Sequence, residues 1–76
     1  MASPKATPQT KTLGGHVRKA REDAQLSRED VARKMGVSEG WVDHIEQGRC
    51  TVSAQLKALY ALGMNSAQAL ALVAAK

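Results

Sequence analysis

From Leu13 onward, apolar positions recur with helical spacing. Leu13, Val17, Ala20 and Ala24 fall at i, i+4, i+7 and i+11, with Arg18, Lys19, Glu22 and Asp23 on the other side, which predicts a first amphipathic helix. Thr12 reads as its N-cap, and Gly14 and Gly15 weaken its opening turn. A second helix has a cleaner start. Ser27 stands three residues before Asp30, an acidic variant of the capping box, and Glu29 shares the first turn. Val31, Ala32 and Met35 supply its inner face, and Gly36 ends it. Ser38 caps a third helix that runs to about Gln47 and carries Trp41, Val42 and Ile45; Gly48 stops it. A fourth helix begins near Ser53, holds Leu56, Leu59, Tyr60 and Leu62, and closes at Gly63. A fifth opens at Ser66 and holds Leu70, Leu72 and Val73. No alternating β-branched run or hairpin turn interrupts this pattern, so the expected fold is all-α, a compact bundle of five helices.

Residues 1–11 contain Pro4, Pro8, several Ser and Thr, two Lys and almost nothing apolar. They read as a disordered arm before a domain over 12–76, either a solvated tail or a basic strand touching phosphate or a minor groove. With 76 residues and only Trp41 and Tyr60 as aromatics, the chain makes one small core and has no material for an enclosed substrate pocket. An enzyme is not expected. The net charge of +4 favours a polyanionic partner, yet it is placed at the ends. Between Leu13 and Met64 eight bases face seven acids, and the excess comes from Lys5, Lys11 and Lys76. Placement of charge, not its sum, has to carry the case.

Cys50 is the only cysteine, which fits a reducing cytosol, and no apolar run approaches a signal peptide core or a membrane span. The expected location is the cytoplasm. His16, His44 and Cys50 lack metal-ligand spacing, no Ser, His and acid group together, and Gly14-Gly15 follows no strand. No cofactor or metal is expected.

The informative stretch is Ser27 to Gly48. Its two short helices are joined by Met35-Gly36-Val37-Ser38, a link suited to helices crossing steeply. Ala32 allows close approach, Val37 plugs the angle, and Val42 with Ile45 anchors the second helix. The edge formed by Glu39, Gly40, Asp43 and His44 is left free to enter a major groove.

On these residues the region Leu13–Met64 resembles the XRE/Cro family of phage, plasmid and bacterial regulators, which have a lambda-repressor-like helix-turn-helix domain. The family pattern is met by Arg21, then Ser27, Val31, Ala32, Met35, Gly36, Val37 and Ser38, then Val42, Ile45, Glu46 and Gly48. The resemblance covers about fifty of the 76 residues and implies a bacterial double-stranded DNA-binding protein with the motif at about 27–47. It also implies a largely buried ion pair between Arg21 and Glu46, tying the first helix to the end of the third. Glu39, Gly40 and His44 take base-reading positions, and Arg28 takes one that meets phosphate or an adjacent base edge. Ser27, Ser38, Trp41, Arg49 and Thr51 are expected at the sugar-phosphate backbone. In chemical terms, Glu39 can accept from a cytosine amino group, His44 can donate to guanine N7, and Arg28 can neutralise a phosphate.

Each assignment has a plainer counterpart. Glu39 serves equally as a partner for the helix dipole, and His44 as a solvent-facing side chain. Gly40 departs from the polar residue usual at its position; it offers no reading group but removes bulk. Asp43 either points away from DNA or orients a neighbouring Arg. Trp41 packs over the second-helix side of the motif, with its N–H as the group able to reach phosphate. Segment 49–53 is about one residue shorter than usual, and Cys50 there is either a passive small residue or a thiol near phosphate.

One such domain spans too few base pairs to select a site, and two-fold doubling places two reading helices about 34 Å apart on a palindrome. The apolar helix at about 66–75, through Leu70, Leu72 and Val73, is the expected dimer interface, or else folds back on its own core. The expected function is a homodimeric repressor of a palindromic operator. A toxin-neutralising antitoxin and a protein-bridging module of the same fold are the alternatives.

Overall fold

The computed structural model describes residues 5–74, which form five helices: α1 (Pro8–Asp23), α2 (Arg28–Met35), α3 (Glu39–Gln47), α4 (Val52–Ala61) and α5 (Ser66–Ala74). No strand occurs among the described residues. The all-α five-helix expectation is met. α3 packs on α1, α2 and α4, and α5 lies against α4 and α1.

The largest departure from the expected boundaries is at the start of α1. The helix begins at Pro8, not after Thr12, so residues 8–11 of the expected arm are helical; residues 1–4 of that arm lie outside the described residues. Thr7 is the N-cap. Its Oγ1 accepts from the Thr10 amide at 3.1 Å, while its own amide donates to Thr10 Oγ1 at 2.8 Å. Pro8 at the first helical position has a fixed φ suited to the helix and no N–H to leave unpaired. Tertiary contacts hold this turn down. Thr10 is buried, and its carbonyl accepts a 2.6 Å hydrogen bond from Gln55 Nε2 on α4. Thr12, expected as the cap, instead donates its hydroxyl to the Pro8 carbonyl within the helix.

The remaining joints follow local chemistry. Ser27 and Asp30 form the reciprocal capping box at 3.0 and 2.9 Å. Gly36 closes α2 with φ +70°, a left-handed conformation open to glycine, and the Val37 amide donates back to the Ala32 carbonyl at 3.0 Å. The same closure ends α1 without a glycine: Gln25 takes φ +58°, and the Leu26 amide donates to the Arg21 carbonyl at 3.1 Å. α4 starts at Val52, one residue before Ser53, because Thr51 caps it by accepting from the Ala54 amide.

Two buried clusters share partners. Val17, Ile45, Cys50, Ala58, Leu59 and Ala69 form one; Val31, Ala32 and Val42 form the other, and Met35 and Leu62 pack against both. Cys50 is therefore a core residue rather than a thiol facing phosphate, and burial pushes its pKa up. Ala24, assigned to the inner face of α1, is exposed just past the end of that helix.

Candidate nucleic-acid interface

α3 is fixed from behind by three kinds of contact. Val42 and Ile45 are wholly buried. Gly14 of α1 lies against the last turn of α3, where an added Cβ would collide with the Glu46 carbonyl oxygen and lie 2.8 Å from its carbon. Arg21 then grips the same end. Its Nε donates to Glu46 Oε2 at 2.7 Å, its Nη2 to Oε1 at 3.3 Å, and its Nη1 to the Leu26 carbonyl at 3.0 Å. The Glu46 side chain is 4% exposed and that of Arg21 12%. This bidentate bond to Glu46, with the carboxylate charge beside it, raises the Arg21 pKa against the opposing effect of burial. One guanidinium thus joins α1, the loop before α2 and the end of α3.

The opposite edge of α3 is open. Glu39 and Gly40 are exposed, and a side chain added at Gly40 would meet nothing within 4 Å. Asp43 and His44 are half-buried. Arg28, the first residue of α2, stands beside this edge with its Nε 3.9 Å from Asp43 Oδ1 and 3.6 Å from Glu46 Oε1. Arg28, Glu39, Gly40 and Asp43 line one shallow depression. His44 has its Nδ1 buried without a hydrogen-bond partner. A proton there would be a stranded donor, so of the two tautomers the one that carries its proton on Nε2 fits the site.

α3 is thus anchored on one edge and open on the other, and it follows α2 across the left-handed turn at Gly36. A family model for the helix-turn-helix domain matches residues 12–71. This chain belongs to the helix-turn-helix domain family. It is of the XRE-like type, a family of DNA-binding transcriptional regulators. The crystal structure of the clp gene regulator ClgR from C. glutamicum is similar, with a TM-score of 0.74 and 30% identity over 90% of this chain and 91% of that one. No curated protein sequence matches the chain significantly.

Within this helix-turn-helix domain the residues expected at the DNA backbone fall into two groups. Ser27, Ser38 and Thr51 are the N-caps of α2, α3 and α4, each accepting a backbone N–H through its hydroxyl oxygen. The Ser27 hydroxyl is turned to the Asp30 carboxylate, whereas the hydroxyl protons of Ser38 and Thr51 are uncommitted; with the partial positive charge of the helix N-termini behind them, these two caps can still donate to an anion. Arg49 is exposed. Trp41 packs against the core beside Met35 and Val37, at a groove closed on the far side by α4. Its ring centroid is 6.4 Å from that of His44.

The terminal helix divides its apolar residues. Ala69 is fully buried and Leu72 packs against the chain's own core, whereas Leu70 is 53% exposed. The three positions expected to form one interface are therefore split: Leu72 belongs to the inner face, Leu70 to the outer one, and the half-buried Val73, one turn after the buried Ala69, lies between them. Two residues to which the sequence pattern gave no part in the site matter for it. Gln55 is wholly buried and also donates to the Ile45 carbonyl at 3.2 Å, fixing the end of α3, and Gly14 permits the α1 approach. A glutamine within the apolar stripe of α4 is the available signal for the first. Among the described residues no cluster of His, Cys, Asp and Glu could hold a metal, and no helix is long and apolar enough to cross a membrane.

Proposed function

We propose that this protein is a homodimeric repressor that places α3 in the major groove of a palindromic operator. The observation that carries the reading is the asymmetry of α3: Val42 and Ile45 at 0% exposure on one edge, Glu39 and Gly40 in solvent on the other. Glu39, Gly40, His44 and Arg28 face the bases, and Ser27, Ser38, Arg49 and Thr51 face the backbone, with the Trp41 N–H at the margin. The exposed outer face of α5 around Leu70 forms the two-fold contact, since an exposed leucine on an apolar helix is best covered by its own symmetry copy. Similarity to a gene regulator supports a regulatory role, exercised by occluding a promoter in the bacterial cytoplasm.

Random-site selection with the purified chain, followed by footprinting of the selected duplex, tests this. The expected result is a palindrome with half-sites about one helical turn apart, protected on one face, and bound with an affinity that falls steeply as salt rises. Salt-insensitive binding, or no protected patch at low ionic strength, would refute it.

A further inference from the structure

The open edge of α3 brings a donor and two acceptors around one depression. At Gly40 the helix has no side chain, and the depression left there is walled by Arg28, Glu39 and Asp43. Arg28 does not extend freely into solvent. Its guanidinium is drawn along α3 by Asp43 Oδ1 at 3.9 Å and Glu46 Oε1 at 3.6 Å, and its side chain is 43% exposed. Asp43 is itself steadied from the next turn, where its Oδ2 accepts from Gln47 Nε2 at 2.8 Å. Glu46 is held by Arg21. A chain of fixed groups thus runs from the core outward and ends in a planar cation over an empty notch, with the Glu39 carboxylate on another wall.

We infer that this notch reads a single G·C base pair, Arg28 donating to guanine O6 and N7 and Glu39 accepting from the amino group of the paired cytosine, with Asp43 as the residue that positions Arg28. The inference rests on the DNA-reading role proposed for α3. A guanidinium donates from a planar fork and needs two adjacent acceptors, which only guanine offers on one base in the major groove. The cytosine beside it presents a donor, which suits a carboxylate and nothing cationic. The absence of a side chain at Gly40 lets the pair's edge approach between them. The carboxylates also decide against phosphate as the Arg28 partner. An arginine already half-neutralised by Asp43 and Glu46 has less to gain from a phosphate, and the nearby carboxylates repel that oxygen.

Site selection on the full chain, on Arg28→Ala and on Asp43→Asn separates these roles. The parent chain is expected to prefer G·C by about 5- to 150-fold at one position of each half-site. Arg28→Ala is expected to erase that preference while leaving the salt dependence unchanged. Asp43→Asn is expected to lose most of the preference too, but with tighter binding to unselected duplex and a salt slope steeper by about 0.9, as the released arginine moves to a phosphate. Replacing the guanine with 7-deazaguanine checks the contact without altering the protein: binding by the parent chain falls and binding by Arg28→Ala does not. A selected site whose base profile ignores both substitutions overturns this inference and spares the DNA-binding proposal. Failure of the parent chain to select or protect any duplex overturns both.

Discussion

The α2–α3 pair and the α4–α5 pair are built from helices of similar length, yet they are held very differently. In the first, both helices are capped by serine, the joint is a left-handed glycine, and Val31, Val42 and Ile45 have no exposed surface. The second is also closed at a left-handed glycine, Gly63, and α5 is capped by Asn65, whose side chain accepts from the Gln68 amide at 2.8 Å. Even so, α5 contributes one fully buried residue, Ala69, and leaves Leu70 outside. Turn chemistry is therefore comparable in the two pairs, and α4, with Gln55, Ala58 and Leu59 at 0% exposure, is seated as deeply as α2 and α3; the shallow seat of α5 is what separates the pairs. A helix that must present side chains to a rigid lattice of base edges has its rear immobilised; a helix with a spare apolar face is suited to a partner.

If the rear of α3 is the determined region, the largest effect should follow removal of Glu46. Glu46→Ala strands the Arg21 guanidinium, 12% exposed, without its bidentate partner and loosens the Leu26 loop with it. The expected loss is about 3–5 kcal/mol of folding stability, read from urea or thermal unfolding. A loss under about 1 kcal/mol would mean the pair behaves as a surface contact.

Two adjacent glycines of α1 sharpen the contrast at the same seam. Gly14→Ala puts a methyl into the backbone of Glu46, where no side chain can rotate away, so α1 and α3 must separate. About 1–3 kcal/mol of destabilisation is expected. Gly15→Ala meets nothing within 4 Å and should stabilise the helix by up to about 1 kcal/mol. Equal effects from the two would remove close approach as the reason for Gly14.

These positions also show where sequence reasoning reaches and where it stops. Ser27, Gly36, Ser38 and Gly48 act on their own neighbours within a few residues, so the boundaries of α2 and α3 were legible. The start of α1 was not, because Pro8 and Thr10 look like tail residues until Gln55, 45 positions away, donates to the Thr10 carbonyl. Gln25 closes α1 in a conformation normally marked by glycine, so nothing local announced it. At the open edge of α3, Glu39, Gly40 and His44 could be placed by helical register. The Arg28–Asp43 approach depends on how α2 crosses α3, and pattern alone left Asp43 with two meanings.

The outer face of α5 offers the next test. Leu70→Asp should leave folding stability within about 0.5 kcal/mol, since that side chain is already half in solvent, while converting a dimer to a monomer in sedimentation. Leu72→Asp should instead destabilise the fold by about 1–3 kcal/mol by placing a charge against the core. A dimer that survives Leu70→Asp would move the two-fold contact off α5.

The smallest expected effect distinguishes the caps themselves. The cap of α2 is completed by the Asp30 carboxylate and that of α5 by the Gln68 amide, whose Oε1 accepts from the Asn65 amide at 3.1 Å, so acid should be felt at one and not the other. The Ser27 amide and hydroxyl hold the Asp30 carboxyl below its ordinary pKa of 3.8. Because the folded value is depressed, the unfolded chain takes up the proton first as pH falls. The stabilisation is complete above the ordinary value and disappears once pH has dropped through the folded one. Asp30→Asn should therefore lower the urea midpoint slightly at about pH 5 and flatten its decline between there and about pH 2.5. Gln68→Ala should shift the midpoint by the same amount at both ends, since the amide does not titrate. Parallel pH profiles for parent and Asp30→Asn would show that the capping carboxylate is indifferent to folding, and that the first joint owes its definition to burial and to Gly36 alone.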